Sequence, residues 1–568
     1  MIQTVVVDSA MPPAEPAPPA PAHTQFTTGE TEYRYLSFAI DDEELLTAHL
    51  PPGEVTEQGL PPPPALAKYG DPQKWSTYRK SFVTWLSCLS TFVTTYTPGA
   101  YAAGAPQYVA VWGVGTMSVY AGITVFTLCF AIAPMFLAPL SELTGRRPLF
   151  LAAGVVFVVS QLGSAVTASF AGLLVTRALA GLSCSVFSTV VGGVISDIYV
   201  AEDRNTAMAI FTGAALSGTG VGPMVSGIIT AHLSWRWIFY LQTITCGLVV
   251  VALFLFFPET RGSVLLSRKA RVLNMWYEEV ERACYDQLAA GNVASDDAVA
   301  EKDTIDQGDG QEQSQTTAGA VRWKVKSDEE HGTLASIIKT SLVQAMHLLV
   351  TESVVFWFSL WMSFAWSILY LTFEAVPLIF SGAYGFSPQA SGLCFLAVVV
   401  ASVIAAVAAV WQERLVTDTK SGFHGFVRRR GTPEARLVFA CGQTLLLPVG
   451  LFWLGATARP TIPWIVPVLG VGCLTLGISS VYLAVFNYLA DTYHTYASSA
   501  IAAQAFTRNV FAACLPLAVE PMLDSLGFTG TGCLLGGIGL ALSAVPWVLM
   551  LWGPQIRKRS PVASLAHV

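Results

Sequence analysis

Charged residues are scarce in this sequence. Asp, Glu, Lys and Arg make up 12% of its 568 residues, about half of the ~25% usual in soluble domains. So few charges cannot coat the roughly four soluble domains that the length alone would suggest. A soluble enzyme, a disulfide-stapled secreted domain and a nucleic-acid binder are all disfavoured. The ten cysteines include no CxxC pair, and nine lie in or beside apolar stretches. They read as small buried apolar residues, with neither a disulfide framework nor a zinc site indicated. There is no N-x-S/T sequon. Walker A sequence is also absent, so active transport would need an ion gradient or another protein's ATPase. The N-terminus shows neither the basic n-region nor the apolar h-region of a signal peptide. No cofactor, metal or catalytic residue is expected.

What the sequence does have is apolar length. Hydrophobic residues are 53% of the chain, and the mean hydropathy is +0.54. They gather into blocks of about 20, the length that crosses a bilayer. Twelve such blocks occupy residues 80–100, 117–140, 149–169, 172–195, 206–231, 237–257, 354–380, 389–411, 437–457, 463–488, 499–522 and 530–552. In lipid each must be a helix, because every backbone N–H and C=O needs an internal partner. Interior Gly220, Pro223 and Pro377 are tolerated in such helices.

The net charge of -7 belongs to one end of the chain. Residues 1–67 hold ten acids and a single base, Arg34, which leaves 28 acids and 30 bases elsewhere. That acidic segment contains Pro12 to Pro21 and Pro61 to Pro64. Such sequence buries too little apolar area to fold alone, so residues 1–74 are expected to be a disordered tail. Basic residues mark the cytoplasmic face. Arg146, Arg147, Arg204, Arg261, Arg268, Lys420 and Arg428 to Arg430 fall on one side, with both termini, while the opposite loops hold only Arg236 and Arg459. Both termini are therefore placed in the cytoplasm. A loop near 258–350 divides the helices six and six. Its start, Arg268 to Leu288, reads as an amphipathic helix, and its middle, Ala289 to Ala320, as disordered. Two six-helix halves suggest parallel repeats with a substrate site between them. The expected boundaries are 1–74 tail, 75–258 first half, 259–346 central loop, 347–552 second half and 553–568 tail.

Two motifs stand out. Between blocks two and three runs Ala138-Pro-Leu-Ser-Glu142-Leu-Thr-Gly145-Arg146-Arg147-Pro148. A carboxylate, a glycine turn and an Arg pair could clamp a neighbouring helix and release it as the halves rock; Arg146 and Arg147 could also simply set topology. In block five, Gly218, Gly222 and Pro223 form a small, kinkable face suited to close packing.

The first motif resembles the loop 2–3 signature of the major facilitator superfamily, G-x-L-A-D-x-x-G-R-[RK], with Ala138 in place of the first Gly and Glu142 in place of the Asp. Block five resembles that family's antiporter-associated fifth-helix signature, which implies export. Arg177-Ala-Leu-Ala-Gly181 resembles the fourth-helix Arg-x-x-x-Gly motif. Ser234 to Phe239, Pro258-Glu259-Thr260, Thr372 to Pro377, Pro433 to Leu437 and Val485 to Asp491 resemble fungal twelve-helix drug:proton antiporters. The resemblance runs from about 75 to 552. It implies an all-α membrane protein of the major facilitator fold.

Charged residues at lipid depth are the strongest site candidates, since each costs at least ~2.5–3.5 kcal/mol at a helix centre unless it faces protein or water. Glu374 lies deep in block seven, one turn before Pro377; Arg177 opens block four and Arg508 lies in block eleven. Burial favours a neutral carboxyl and a nearby Arg favours a charged one, so a Glu374 that exchanges a proton with substrate supplies a coupling mechanism. A permanent structural pair is the alternative. Asp491 and Glu352, near the cytoplasmic boundary, read as gates or caps. Trp357, Trp361, Trp366, Tyr370 and Phe373 crowd block seven, and Tyr370 shares a helix face with Glu374. Such a wall suits an amphipathic or cationic organic ligand, unless these are interfacial aromatics. Tyr370, Phe373, Asn487 and Gln504 are the expected substrate contacts.

The expectation is a monomeric, plasma-membrane exporter of small organic compounds driven by proton antiport, with no nucleic-acid partner and no enzyme activity. A dedicated exporter of one pathway product, an organic acid or a glycolipid, and a non-transporting membrane sensor are the rivals.

Overall fold

A computed structural model describes residues 31–47, 60–200, 203–299, 321–330, 334–417, 434, 437–493 and 497–560. Residues 300–320, Lys420 and Arg428 to Arg430 lie outside these, as do Pro12 to Pro21, Pro433, Ala435 and Arg436. The described chain divides into a unit built from Gly70–Leu265 and Glu329–Val568 and a second built from the tail up to Tyr69 with Leu266–Asp328.

The first unit is a helical bundle. Ten stretches among the described residues are long and apolar enough to cross a bilayer. Membrane helices two to seven span Thr116–Thr144, Arg146–Val166, Phe170–Ile198, Arg204–His232, Arg236–Phe256 and Ser353–Tyr384. Eight to ten follow at Pro388–Gln412, Leu437–Thr457 and Ile465–Tyr493. The count differs from the twelve expected for two reasons. The first helix, Thr77–Ala103, is too rich in Thr and Ser to pass on hydropathy. Its hydroxyls bond back to the preceding turn, as Ser87 does to Val83 O at 2.8 Å and Thr94 to Ser90 O at 2.9 Å, and Thr91 reaches Phe187 O on helix four at 2.6 Å. Satisfied in this way, they are compatible with lipid depth. The last stretch, Ser499–Arg559, is 61 residues long, about 90 Å as a straight helix and far more than one bilayer. It holds the last two expected blocks. The chain turns inside it at Gly527, where φ 65 and ψ 178 suit only glycine. The eleventh helix begins at Ala497 and the twelfth ends at Arg559.

The second unit corrects the disordered-tail expectation over its described part. Glu32–Tyr35 pairs in parallel with Val321–Lys324, and Asp42–Thr47 is helical. Leu36, Leu45 and Leu66 are buried against Leu273, Trp276, Tyr277 and Val280 of the long Gly262–Val299 helix, which extends past the expected Leu288 end. Lys269 Nζ meets Asp42 at 2.7 Å, Trp276 Nε1 donates to Pro61 O at 3.2 Å, and Tyr277 OH bonds Leu45 O. The tail has too few apolar residues to fold alone, but the amphipathic loop helix supplies the missing face. Each buried leucine contributes about 1.5–3 kcal/mol.

Candidate functional site

At the loop 2–3 end, Gly145 adopts φ 101 and ψ 161, a conformation essentially restricted to glycine. A Cβ there would strike the Glu259 carboxylate. That carboxylate accepts from Arg146 N at 2.8 Å, Arg147 N at 3.3 Å, Thr260 N at 3.0 Å and Arg261 N at 3.0 Å. It thereby caps the N-terminus of helix three with negative charge. The Arg146 side chain is buried and pairs with Asp197 of helix four at 3.0 Å. Arg261 bridges Asp197 at 3.2 Å and Glu142 at 3.7 Å, and Arg147 donates to Phe254 O at 2.9 Å. Glu142 therefore meets Arg261 and not the Arg pair beside it. A comparable knot closes the second half: buried Glu434 accepts from Arg557 at 2.9 Å and Tyr488 OH at 3.2 Å.

The glycines of helix five are where helices come closest. A Cβ on Gly218 would enter Phe92 O, and one on Gly222 would enter Tyr96 O of helix one, while Pro223 lies against Gly99. Gly227 abuts Pro388 and Gly392 at the start of helix eight. Helix five thus packs on helix one through Gly218 and Gly222 and on helix eight through Gly227 on its opposite side.

The halves also meet through polar bonds. Asn487 Nδ2 donates to Asn205 Oδ1 at 2.7 Å, and Arg204 lies 3.8 Å from Asp491. Asn487, expected as a substrate contact, sits in this cross-half bond. Nearer the opposite end, Thr124 donates to Ala513 O at 2.9 Å, and His232 Nε2 meets Gln389 at 3.2 Å. Glu352 accepts from Tyr493 OH at 3.1 Å and from Ser560 Oγ at 2.5 Å; it stands at the N-cap of helix seven, but its side chain makes no capping bond to that helix.

The interior holds the other candidates. Arg177 is fully buried. Its guanidinium lies 4.5 Å from the Tyr101 ring centre and 4.4 Å from that of Phe126. Gly181, one turn on, lets helix four touch Phe126 O and so sets that ring beneath Arg177. Nε is 3.4 Å from Gly122 O, but Nη1 and Nη2 have no hydrogen-bond partner among the described residues. Arg508, 1% exposed, lies 4.7 Å from Trp366 and 5.4 Å from Tyr482, with Nε and Nη1 likewise unpartnered. Gln504, one turn before Arg508, and Asn509, beside it, are buried with both amide atoms unpartnered among the described residues. Tyr370 lies within electrostatic reach of both arginines, and its ring is 5.3 Å from Phe373.

Glu374 is 2% exposed, and both its oxygens lack a hydrogen-bond partner among the described residues. Its charged neighbour is Glu520, and Tyr120 is also close. The structure therefore brings Tyr370, Phe373, Gln504, Arg177 and Arg508 toward one interior but shows no ion pair between Glu374 and either arginine. Of the block-seven aromatics, Trp361 and Trp366 are buried and Trp357 faces outward. Asp197, Glu259, Asn205 and Asn509 were not singled out in the sequence as site residues. Asp197 carried a usable signal, an acid just past the end of an apolar block.

Comparisons with known proteins agree with this architecture. The Major Facilitator Superfamily family model matches residues 81–516. The MFS-type transporter phm3 of Pyrenochaetopsis sp is 31% identical, over 87% of this chain and 92% of its own length. The multidrug transporter mdrA of Aspergillus fumigatus is 29% identical, over 87% and 74%. Among solved structures, the xylose symporter XylE bound to a glucose analogue covers 84% of this chain and 97% of its own at TM-score 0.55 and 15% identity, a likeness of fold alone. The chain belongs to the Major Facilitator Superfamily.

Proposed function

We propose that this chain is a proton-coupled efflux transporter that exports small organic compounds across the plasma membrane by alternating access. The observation that carries the reading is Glu374, a buried carboxylate with neither oxygen hydrogen-bonded among the described residues. An ionisable group kept unpaired at such depth is costly, and in membrane proteins it marks a proton or substrate pathway by default. Asn205–Asn487 and Arg204–Asp491 are bonds that rocking of the halves would break and remake. Relatives named efflux pumps, such as FUBT of Fusarium oxysporum at 28% identity, support the outward direction. The Lys and Arg asymmetry supports cytoplasmic termini, and the bundle works as a monomer.

The test is Glu374→Gln in proteoliposomes. Uphill, proton-driven flux should disappear while energy-independent counterflow continues. Full proton-dependent transport by this variant would remove Glu374 as the proton carrier. Flux absent from the wild type, with ligand binding retained, would favour a sensor.

A further inference from the structure

The aromatic wall of helix seven, which as sequence suits a cation, is already covered at Trp366. Arg508 covers Trp366 and Tyr482, and across the interior Arg177 lies over Tyr101 and Phe126. The ring faces that would attract a substrate cation hold the protein's own guanidiniums. These are among the largest fully buried side chains of the molecule. One comes from each half, on helices four and eleven, and both act electrostatically on Tyr370 of helix seven. No acid forms an ion pair with either among the described residues. Stacking satisfies the faces of a guanidinium but not its in-plane N–H groups. Among the described residues, Arg177 has no acceptor for Nη1 and Nη2, and Arg508 none for Nε and Nη1. Gln504 and Asn509, beside Arg508, have both amide atoms, donor and acceptor, unpartnered among the described residues. Buried donors without acceptors are rare in native structures and call for an acceptor from outside the chain. An oxyanion that can accept two parallel N–H bonds, a carboxylate or a sulfonate, matches the guanidinium fork.

From these unpaired donors we infer that the site between the halves takes an organic anion, a carboxylate or sulfonate on an aromatic or amphipathic body. The oxyanion is held by Arg508, Gln504 and Arg177, and its apolar body lies against Tyr370 and Phe373. This deepens the proposed function, since only the transport reading makes the bound anion cargo. It also gives the arginines a reason to come from opposite halves: one anion between them draws the halves together around it. Glu374, one turn along helix seven from Tyr370, is ion-paired with neither arginine; it takes the proton while the arginines take the anion.

The test uses three permanently charged or neutral probes on one naphthyl body: naphthalene-2-sulfonate, naphthalene-2-carboxamide and trimethyl(2-naphthylmethyl)ammonium. Binding to the purified full-length protein is read by equilibrium dialysis, and counterflow is measured separately in proteoliposomes. The sulfonate should bind about 10- to 100-fold more tightly than the amide, the worth of charge-assisted hydrogen bonds to a buried site, and the cation more weakly still. Arg508→Gln should erase that preference, bringing the sulfonate and the amide to within about twofold of each other, and Arg508→Lys should restore part of it. Equal binding of the three probes by the wild type, or preference for the ammonium, overturns the inference without recourse to any variant. So does an Arg508→Gln protein, folded by size exclusion, that keeps the sulfonate preference. Sulfonate binding without counterflow of any probe leaves the anion site standing and sinks the transport reading.

Discussion

Gly145→Ala isolates the physics of the loop 2–3 turn. The residue's φ of 101 and ψ of 161 cost a side-chain-bearing residue about 1–3 kcal/mol. The new Cβ would also meet the Glu259 carboxylate, which has buried backbone on its other side. Moving that carboxylate weakens its bonds to four backbone N–H groups, each worth about 0.5–1.5 kcal/mol. Loss of two of them plus the strain gives about 2–6 kcal/mol of local destabilisation. Because Arg146 is aimed at Asp197 from the same turn, the helix three–helix four tie should loosen with it. The assay pairs thermal unfolding of the detergent-purified variant with counterflow. Gly115→Ala is the control, since φ there is -68 and nothing lies within 4 Å of the added carbon. A lower Tm and slowed flux for Gly145→Ala, with the control unchanged, are expected. Wild-type Tm and flux for Gly145→Ala would refute the turn argument.

Three further outcomes follow from the same contacts. Arg557→Ala strands the buried Glu434 carboxylate and should cost about 3–5 kcal/mol; adding Glu434→Gln should recover much of it, as a double-mutant unfolding cycle would read. Asn205→Ala removes a cross-half hydrogen bond and should shift the population toward opening at that end by about 2- to 10-fold, seen as a broader spin-label distance distribution between cysteines placed at exposed Thr144 and Lys339. Leu45→Asp puts a charge into the tail's apolar cluster and should raise tryptic cleavage after Arg34 at least about tenfold, with no effect if the tail does not dock.

Local signals were legible in the sequence, and long-range ones were not. The apolar blocks, the Gly145 turn and the small face of helix five follow from length, conformation and residue size, and each lies where expected. The partners of the charged motifs do not follow. Arg146 finds Asp197 and Glu259, 51 and 113 residues away, while Glu142, the acid one turn before it, turns to Arg261. Asn487 looked like a substrate contact because a polar side chain in an apolar block has no visible partner in one dimension; Asn205 is that partner. The tail reads as unfoldable because its apolar complement is on a helix more than 200 residues later. Arg177 and Arg508 were visible as costly charges, but the aromatic rings that cover them come from helices one, two, seven and ten.

Proton movement during substrate flux tests the central claim most directly. Purified protein is reconstituted with pyranine in the lumen, and each naphthyl probe is allowed to run down its gradient from inside to outside. The account predicts that at least one probe acidifies the lumen as it leaves, that an uncoupler abolishes the acidification, and that Glu374→Gln lets the probe pass without it. Probe efflux with no proton movement, or with protons leaving alongside the probe, would contradict proton antiport.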